Sequence, residues 1–128
     1  MATKSAVRTD KAPAPFQGAP YSQAIRCGDF VFVSGQLPLN PAGEMVGKTI
    51  EEQTEQVFRN LKAILEAAGS DLGKIVKTTV FLVDFADFAA MNAVYRKHVG
   101  STPPARSTVS VKDFPRGARI EIEAIASA

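Results

Sequence analysis

The period of apolar positions changes several times along the chain, and each change marks an element. Phe30-Val31-Phe32-Val33 is apolar at every position, which predicts a strand covered on both faces. Ahead of it, after a Pro- and Ala-rich entry (Pro13, Pro15, Pro20), Tyr21 to Arg26 reads as an extended segment, with Gly28-Asp29 as a tight hairpin turn. Ser34-Gly35 is expected to end the strand, and Pro38, Asn40-Pro41 and Gly43 to make a long turn. The period then becomes helical. Ile50, Val57, Phe58, Leu61, Ile64, Leu65 and Ala68 share one side, and Glu51, Glu55, Arg59, Lys62 and Glu66 the other. Thr49 and Glu52 form a capping-box pattern that opens this helix, and Gly69 stands just past its end.

Lys74 to Val83, rich in Ile, Val, Thr and Phe, reads as a central strand. Asp84 and Asp87 are candidate caps for a second helix that carries Phe88, Met91, Tyr95 and Val99 on one face and closes at Gly100. Pro103-Pro104 break the chain. Ser107 to Val111 and Arg119 to Ala126 are the last two strands, joined by a turn through Pro115-Arg116-Gly117. The order strand–strand–helix–strand–helix–strand–strand is α+β. Two amphipathic helices cover only one face of such a sheet. In the last strand Ile120, Ile122, Ala124 and Ala126 point one way, and Arg119, Glu121, Glu123 and Ile125 the other. The uncovered side is therefore expected to meet another subunit.

Length adds that 128 residues make one domain, 1–128, with residues 1–12 either a flexible segment or an edge strand. Fifteen Lys and Arg against thirteen Asp and Glu leave a charge of +2, too small to argue for nucleic acid. Residues 1–12 lack the apolar core of a signal peptide, and no apolar run approaches the ~20 residues that span a bilayer. With an unpaired Cys27 as well, a cytoplasmic location is expected, with no membrane partner.

One Cys and one His exclude a disulfide framework and an all-Cys/His zinc site within one chain. An enzyme built on this sequence works with carboxylates, Arg, hydroxyls and backbone groups. His98 reads as a helix-end surface residue without a partner at metal-ligand spacing. A Cys27–His98 nucleophile pair is formally open, against the commoner fate of Cys as a small buried apolar residue. The glycines Gly35, Gly43 and Gly47 match no phosphate loop or dinucleotide fingerprint.

Glu121 and Glu123 share a strand face, about 7 Å apart. They are either a solvated face or hold an acid/base at a subunit cleft. Arg106 follows the stiff Pro103-Pro104-Ala105 approach, and at a cleft its planar fork matches a substrate carboxylate. Asn92 is an amide among the apolar positions Phe88, Met91 and Tyr95, serving either a site or a neighbouring loop.

Pro104-Ala105-Arg106-Ser107, the turn through Pro115, and Arg119-Ile120-Glu121-Ile122-Glu123-Ala124-Ile125-Ala126 resemble the C-terminal motif of the reactive intermediate/imine deaminase (RidA, YjgF-like) family. Ala19-Pro20-Tyr21-Ser22-Gln23-Ala24, Val33-Ser34-Gly35-Gln36-Leu37-Pro38, Ala67-Ala68-Gly69 and Val76-Lys77-Thr78-Thr79-Val80-Phe81 are similar to its other blocks, so the resemblance runs from Pro13 to Ala126. It implies a chorismate-mutase-like α+β fold, an about six-stranded mixed sheet with two helices on one face, assembled as a homotrimer with inter-subunit sites. The implied activity is that of a 2-iminobutanoate/2-iminopropanoate deaminase. It hydrolyses reactive enamines and imines (2-aminoacrylate, 2-iminopropanoate) to 2-keto acids and ammonia without a cofactor or metal.

By position the resemblance makes Arg106 the carboxylate binder and Glu121 the residue that handles the attacking water. Tyr21, Ser34, Gly35, Asn92 and Thr108 line or support the site. Ala19 stands where relatives have Gly, and Thr108 where many have Cys, so the substrate range within the family (3-aminoacrylate and 2-aminomuconate being alternatives) stays open. A non-catalytic carboxylate-sensing member would keep Arg106 without needing Glu121. An RNA-cleaving role finds neither a basic stripe with interleaved aromatics nor a His pair.

Overall fold

A computed structural model describes residues 3–128. Six strands form one mixed sheet: β1 (Lys4–Val7), β2 (Ala24–Cys27), β3 (Phe30–Gln36), β4 (Ile75–Leu82), β5 (Ala105–Ser110) and β6 (Ile120–Ser127). Their spatial order is β1-β2-β3-β6-β4-β5, antiparallel throughout except for the parallel edge pair β4–β5. Two helices, α1 (Ile50–Ala67) and α2 (Phe88–His98), complete the fold. Among the described residues no helix is long and apolar enough to cross a membrane.

Helix α1 forms where its caps say it should. Thr49 accepts from the Glu52 N–H while the Glu52 carboxylate accepts from the Thr49 N–H, so both halves of the capping box are made. At the other end Gly69 takes φ +81°, a conformation that any Cβ would strain. The apolar stripe of α1, with Val57, Phe58, Leu61, Ile64 and Leu65 almost fully buried, packs on β3 and β6. Val31 and Val33 of β3, Thr78, Val80 and Leu82 of β4, and the Ile120/Ile122/Ala124/Ala126 side of β6 complete this core.

Among the described residues, no second layer covers the opposite face of the sheet. Phe30 and Phe32 are each 45% exposed while their neighbour Val31 is fully buried, so in the single chain β3 is covered on one face, not two. Its all-apolar composition reflects a buried face plus an apolar face without a cover. β3 also runs past Ser34-Gly35. The ladder shifts between Val33 (opposite Ala124) and Gln36 (opposite Ile122), so three residues oppose two. This bulge reverses the strand's parity: it turns Gln36 into the core at 5% exposure and leaves Gly35 on the open side.

Other boundaries move for local reasons. β2 begins at Ala24 rather than Tyr21, because Gln23 is buried and spends its side chain on the entry loop. It accepts from the Thr9 N–H and donates to the Thr9 and Pro13 carbonyls. β5 begins at Ala105, so Arg106 is the second residue of the strand. Asp84 caps the short turn before α2, accepting from the Ala86 N–H. Asp87 makes no cap; its carboxylate takes the Arg119 guanidinium in two bonds of 2.8 and 3.2 Å. Arg119 thus lies outside β6 and pins the start of that strand to α2. Cys27 is half-buried, not core.

His98 is no free helix end. Its Nε2 meets Glu55 Oε1 at 2.5 Å, and its ring stacks on Phe58 with centroids 4.6 Å apart, clamping α2 to α1. The Glu55 carboxyl is held below its ordinary range, chiefly by this bond.

The segment that leaves β3 hangs on one buried amide. Asn60 Nδ2 donates to the carbonyls of Leu37 (3.1 Å) and Leu39 (2.8 Å), and its Oδ1 accepts from Gln56. Replacing Asn60 with Leu removes these three bonds, leaving the Leu39 carbonyl only the longer 3.3 Å bond from Gln56 and the Leu37 carbonyl only the Leu39 N–H. It should lower unfolding stability by about 2 kcal/mol, the summed net worth of the buried hydrogen bonds lost, as read from urea titrations. Unchanged stability would contradict this role.

Candidate functional site

The bulge in β3 creates the site's central contact. On the open face Glu121 of β6 lies against Gly35 so closely that a Cβ there would stand 2.5 Å from Glu121 Oε1 and 2.6 Å from its Cδ. Gly35 is required by this approach, not by its backbone angles. Had the ladder stayed regular, Gln36 would oppose Glu121 and fill the space.

A cavity of about 470 Å³ opens over this contact, lined by Tyr21, Ser34, Gly35, Glu121 and Glu123. Phe16, Leu37 and Pro115 complete its wall. Tyr21 is tied back into the wall, its Oη accepting the Phe16 N–H at 2.6 Å. The Ser34 hydroxyl donates to the Ser22 carbonyl at 2.6 Å, fixing β3 to the segment that carries Tyr21. Its oxygen keeps acceptor capacity toward the cavity.

Glu121 is half-buried and its carboxyl is pushed above the ordinary range, first by burial and then by the charge of Glu123. A carboxyl whose proton is held more tightly is better suited to take a proton and return it. Among the described residues no three His, Cys, Asp or Glu side chains gather as a metal-holding group.

The second expected residue lies elsewhere. Arg106 pairs with Thr78 in the β4–β5 ladder, and paired residues share a face. Thr78 is fully buried on the helix side, where its hydroxyl meets Tyr95 Oη at 2.6 Å. The Arg106 guanidinium accordingly sits over two rings of α2, 4.7 Å from the Tyr95 centroid and 5.5 Å from that of Phe88. Cation–π contact with both holds the fork and leaves its N–H edges to donate. Asn92 lies between Phe88 and Tyr95 on the same helix stripe, half-buried. Thr108, two residues beyond Arg106, shares its face.

The candidate residues therefore form two clusters on opposite faces of one sheet. Tyr21, Ser34, Gly35 and Glu121 gather on the open side; Arg106, Thr108 and Asn92 gather against α2. Sequence reasoning missed Phe16, Leu37 and Pro115 as wall residues, and Phe88 and Tyr95 as the bed of Arg106. The i, i+7 spacing of two aromatics around Asn92 was the available signal for the bed. Nothing local marks the wall, which three separate loops assemble.

The pattern of the family described as Endoribonuclease L-PSP matches residues 9–128. Reactive Intermediate Deaminase A, chloroplastic, of Arabidopsis thaliana is 48% identical over 97% of this chain and 66% of its own length. The 2-iminobutanoate/2-iminopropanoate deaminase of Mus musculus is 42% identical over 96% of this chain and 90% of its own. The crystal structure of the YjgF gene product of E. coli superposes with a TM-score of 0.87 at 44% identity, covering 96% of this chain and 98% of that one.

The raised Glu121 carboxyl has a consequence for stability. The folded protein holds this proton more tightly than the unfolded chain, so stability falls as pH rises from the ordinary carboxylate range through the raised value. Glu121→Gln removes that loss. The variant should be at least as stable as the parent at pH 7, the difference closing below about pH 4, where the carboxyl is protonated in both states. A variant clearly less stable at pH 7 in urea titrations would contradict the assigned environment.

Proposed function

The chain belongs to the RidA/YjgF family of reactive intermediate deaminases, and from that membership we propose that it hydrolyses small 2-imino acids and their enamine tautomers to 2-keto acids and ammonia. The observation that carries this reading is the Glu121 carboxyl, held over bare Gly35 in a cavity walled by Tyr21, with its proton affinity raised. The name of the mouse relative supports 2-iminopropanoate and 2-iminobutanoate as the substrates.

The chemistry asks little of the protein. A protonated imine beside a carboxylate is already electrophilic, so catalysis reduces to orientation and proton movement. Glu121 accepts a proton as water adds to the imine carbon, forming a carbinolamine. It then returns the proton to nitrogen, the C–N bond breaks, and the carboxylate takes up the hydroxyl proton as the keto group forms; that proton departs with ammonia as ammonium. One water enters and one ammonia departs, with no redox change.

Arg106 binds the substrate carboxylate. Its own chain holds it on the face away from Glu121, so the working site pairs Glu121 of one copy with Arg106 of a neighbouring copy in a homotrimer. The uncovered apolar face bearing Phe30, Phe32 and Val109 supports this assembly. The acid/base cluster and the carboxylate fork then meet only at the subunit boundary.

Keto-acid release from enzymatically generated 2-aminoacrylate tests the assignment. The parent should accelerate release over buffer, and Glu121→Gln should cut the rate by ~10²–10⁴, the usual worth of positioned acid–base assistance. Arg106→Ala should cut kcat/KM by about 10²-fold or more, through lost orientation and charge. A parent indistinguishable from buffer overturns the deaminase reading for this substrate. Full activity in Arg106→Ala overturns the site.

A further inference from the structure

Two residues at the cavity rim, neither of them glycine, sit in the left-handed backbone region. Gln17 has φ +53° in the Phe16–Gly18 turn, and Arg116 has φ +60° in the Pro115–Gly117 turn. Among the described residues they are the only non-glycine positions with positive φ. Such conformations persist only where the surroundings over-determine them, and here one side chain does so. The Arg116 guanidinium lies 5.6 Å from the centroid of the Phe16 ring, and its Nη1 donates to the Gly43 carbonyl at 2.6 Å.

Gly43 belongs to a third loop, the Asn40–Glu44 turn. The Asn40 side chain accepts there from the Ala42 and Glu44 N–H groups, and the Gly43 N–H donates to the Asn40 carbonyl. That turn begins three residues after Leu37, itself part of the cavity wall. One guanidinium thus joins three loops far apart in sequence, two of which carry wall residues, Phe16 and Pro115. Phe16 passes the constraint to Tyr21 through the N–H that Tyr21 Oη accepts.

We propose that Arg116 is the positioning residue that fixes the Phe16–Tyr21 wall and so sets the width of the cavity and the size of side chain the substrate can carry. It acts through Phe16 and touches no reacting atom. Its contacts with Phe16 and Gly43 offset the cost of the left-handed backbone at this position. Within the proposed deaminase function, on which the substrate part of this inference rests, a fixed wall favours small 2-imino acids. A loosened wall admits bulkier ones.

The test compares the parent with Arg116→Gly and Arg116→Lys. Glycine suits the backbone angle, so it removes the pin without adding strain. Lysine keeps the charge but not the planar fork. Hydrogen–deuterium exchange over residues 16–21 should rise about tenfold in Arg116→Gly, as local opening becomes easier, with Arg116→Lys in between. In the same variant, the kcat/KM ratio of a 2-imino acid with an isobutyl side chain to 2-iminopropanoate should rise about fivefold or more, since pocket fit sets that ratio. Unchanged exchange in Arg116→Gly overturns the pin. Faster exchange with an unchanged ratio overturns its part in selectivity. A parent inactive on both imino acids overturns the deaminase reading instead, and the exchange result still decides the pin.

Discussion

The two-residue period of β6 is the constraint from which the rest follows. β6 lies between β3 and β4, and its even-numbered residues fill the core beneath α1. Burying Ile120, Ile122, Ala124 and Ala126 there forces Glu121 and Glu123 to the other face. A one-residue slip would bury two carboxylates and expose four apolar side chains, so the register is strongly held. The neighbouring strands take their parity from it. Thr78 pairs with Ala124 and Arg106 with Thr78, which commits Arg106 to the helix side as firmly as Glu121 is committed to the open one.

A single departure from regular pairing makes the open side usable. The bulge at Ser34-Gly35 places a residue without a side chain against Glu121, giving the carboxyl room beside the strand and a half-buried place in which its proton is held more tightly. The remaining wall comes from loops rather than from the sheet. Bonds that reach across the fold, from Gln23 to the entry loop, Asn60 to the segment after β3 and Arg116 to two loops, therefore matter more than local propensity. The site is a rigid strand pair with a rim assembled around it, and a reaction that moves one proton out and back is within its means.

Much of this was legible in the sequence, for identifiable reasons. The Thr49–Glu52 box, the helical stripe through Leu61 and Leu65, and the alternation of β6 are short-range signals that the core reinforces. What escaped depends on partners distant in sequence. Asp87 looks like a cap until Arg119 is brought to it, and His98 looks solvated until Glu55 and Phe58 arrive from another helix. Ser34-Gly35 looks like a strand end because a bulge and a terminus have the same local chemistry. The family resemblance supplies positions for Arg106, Asn92 and Thr108 and not the faces they occupy. The separation of Arg106 from Glu121 is set by the β4–β5 and β4–β6 ladders, which pair residues distant in sequence.

Subunit mixing reads whether the two separated residues meet between copies. Arg106→Ala and Glu121→Gln proteins, each inactive alone, are unfolded together in equal amounts and refolded. If the site joins Glu121 of one copy to Arg106 of the next around a closed trimer, each mixed trimer regains one intact site, and about a quarter of the parent's activity returns. If both residues serve the same copy's site, no mixed assembly contains an intact pair. Activity that stays at the level of the separate variants, in refolded and properly assembled protein, would rule out a site shared between copies.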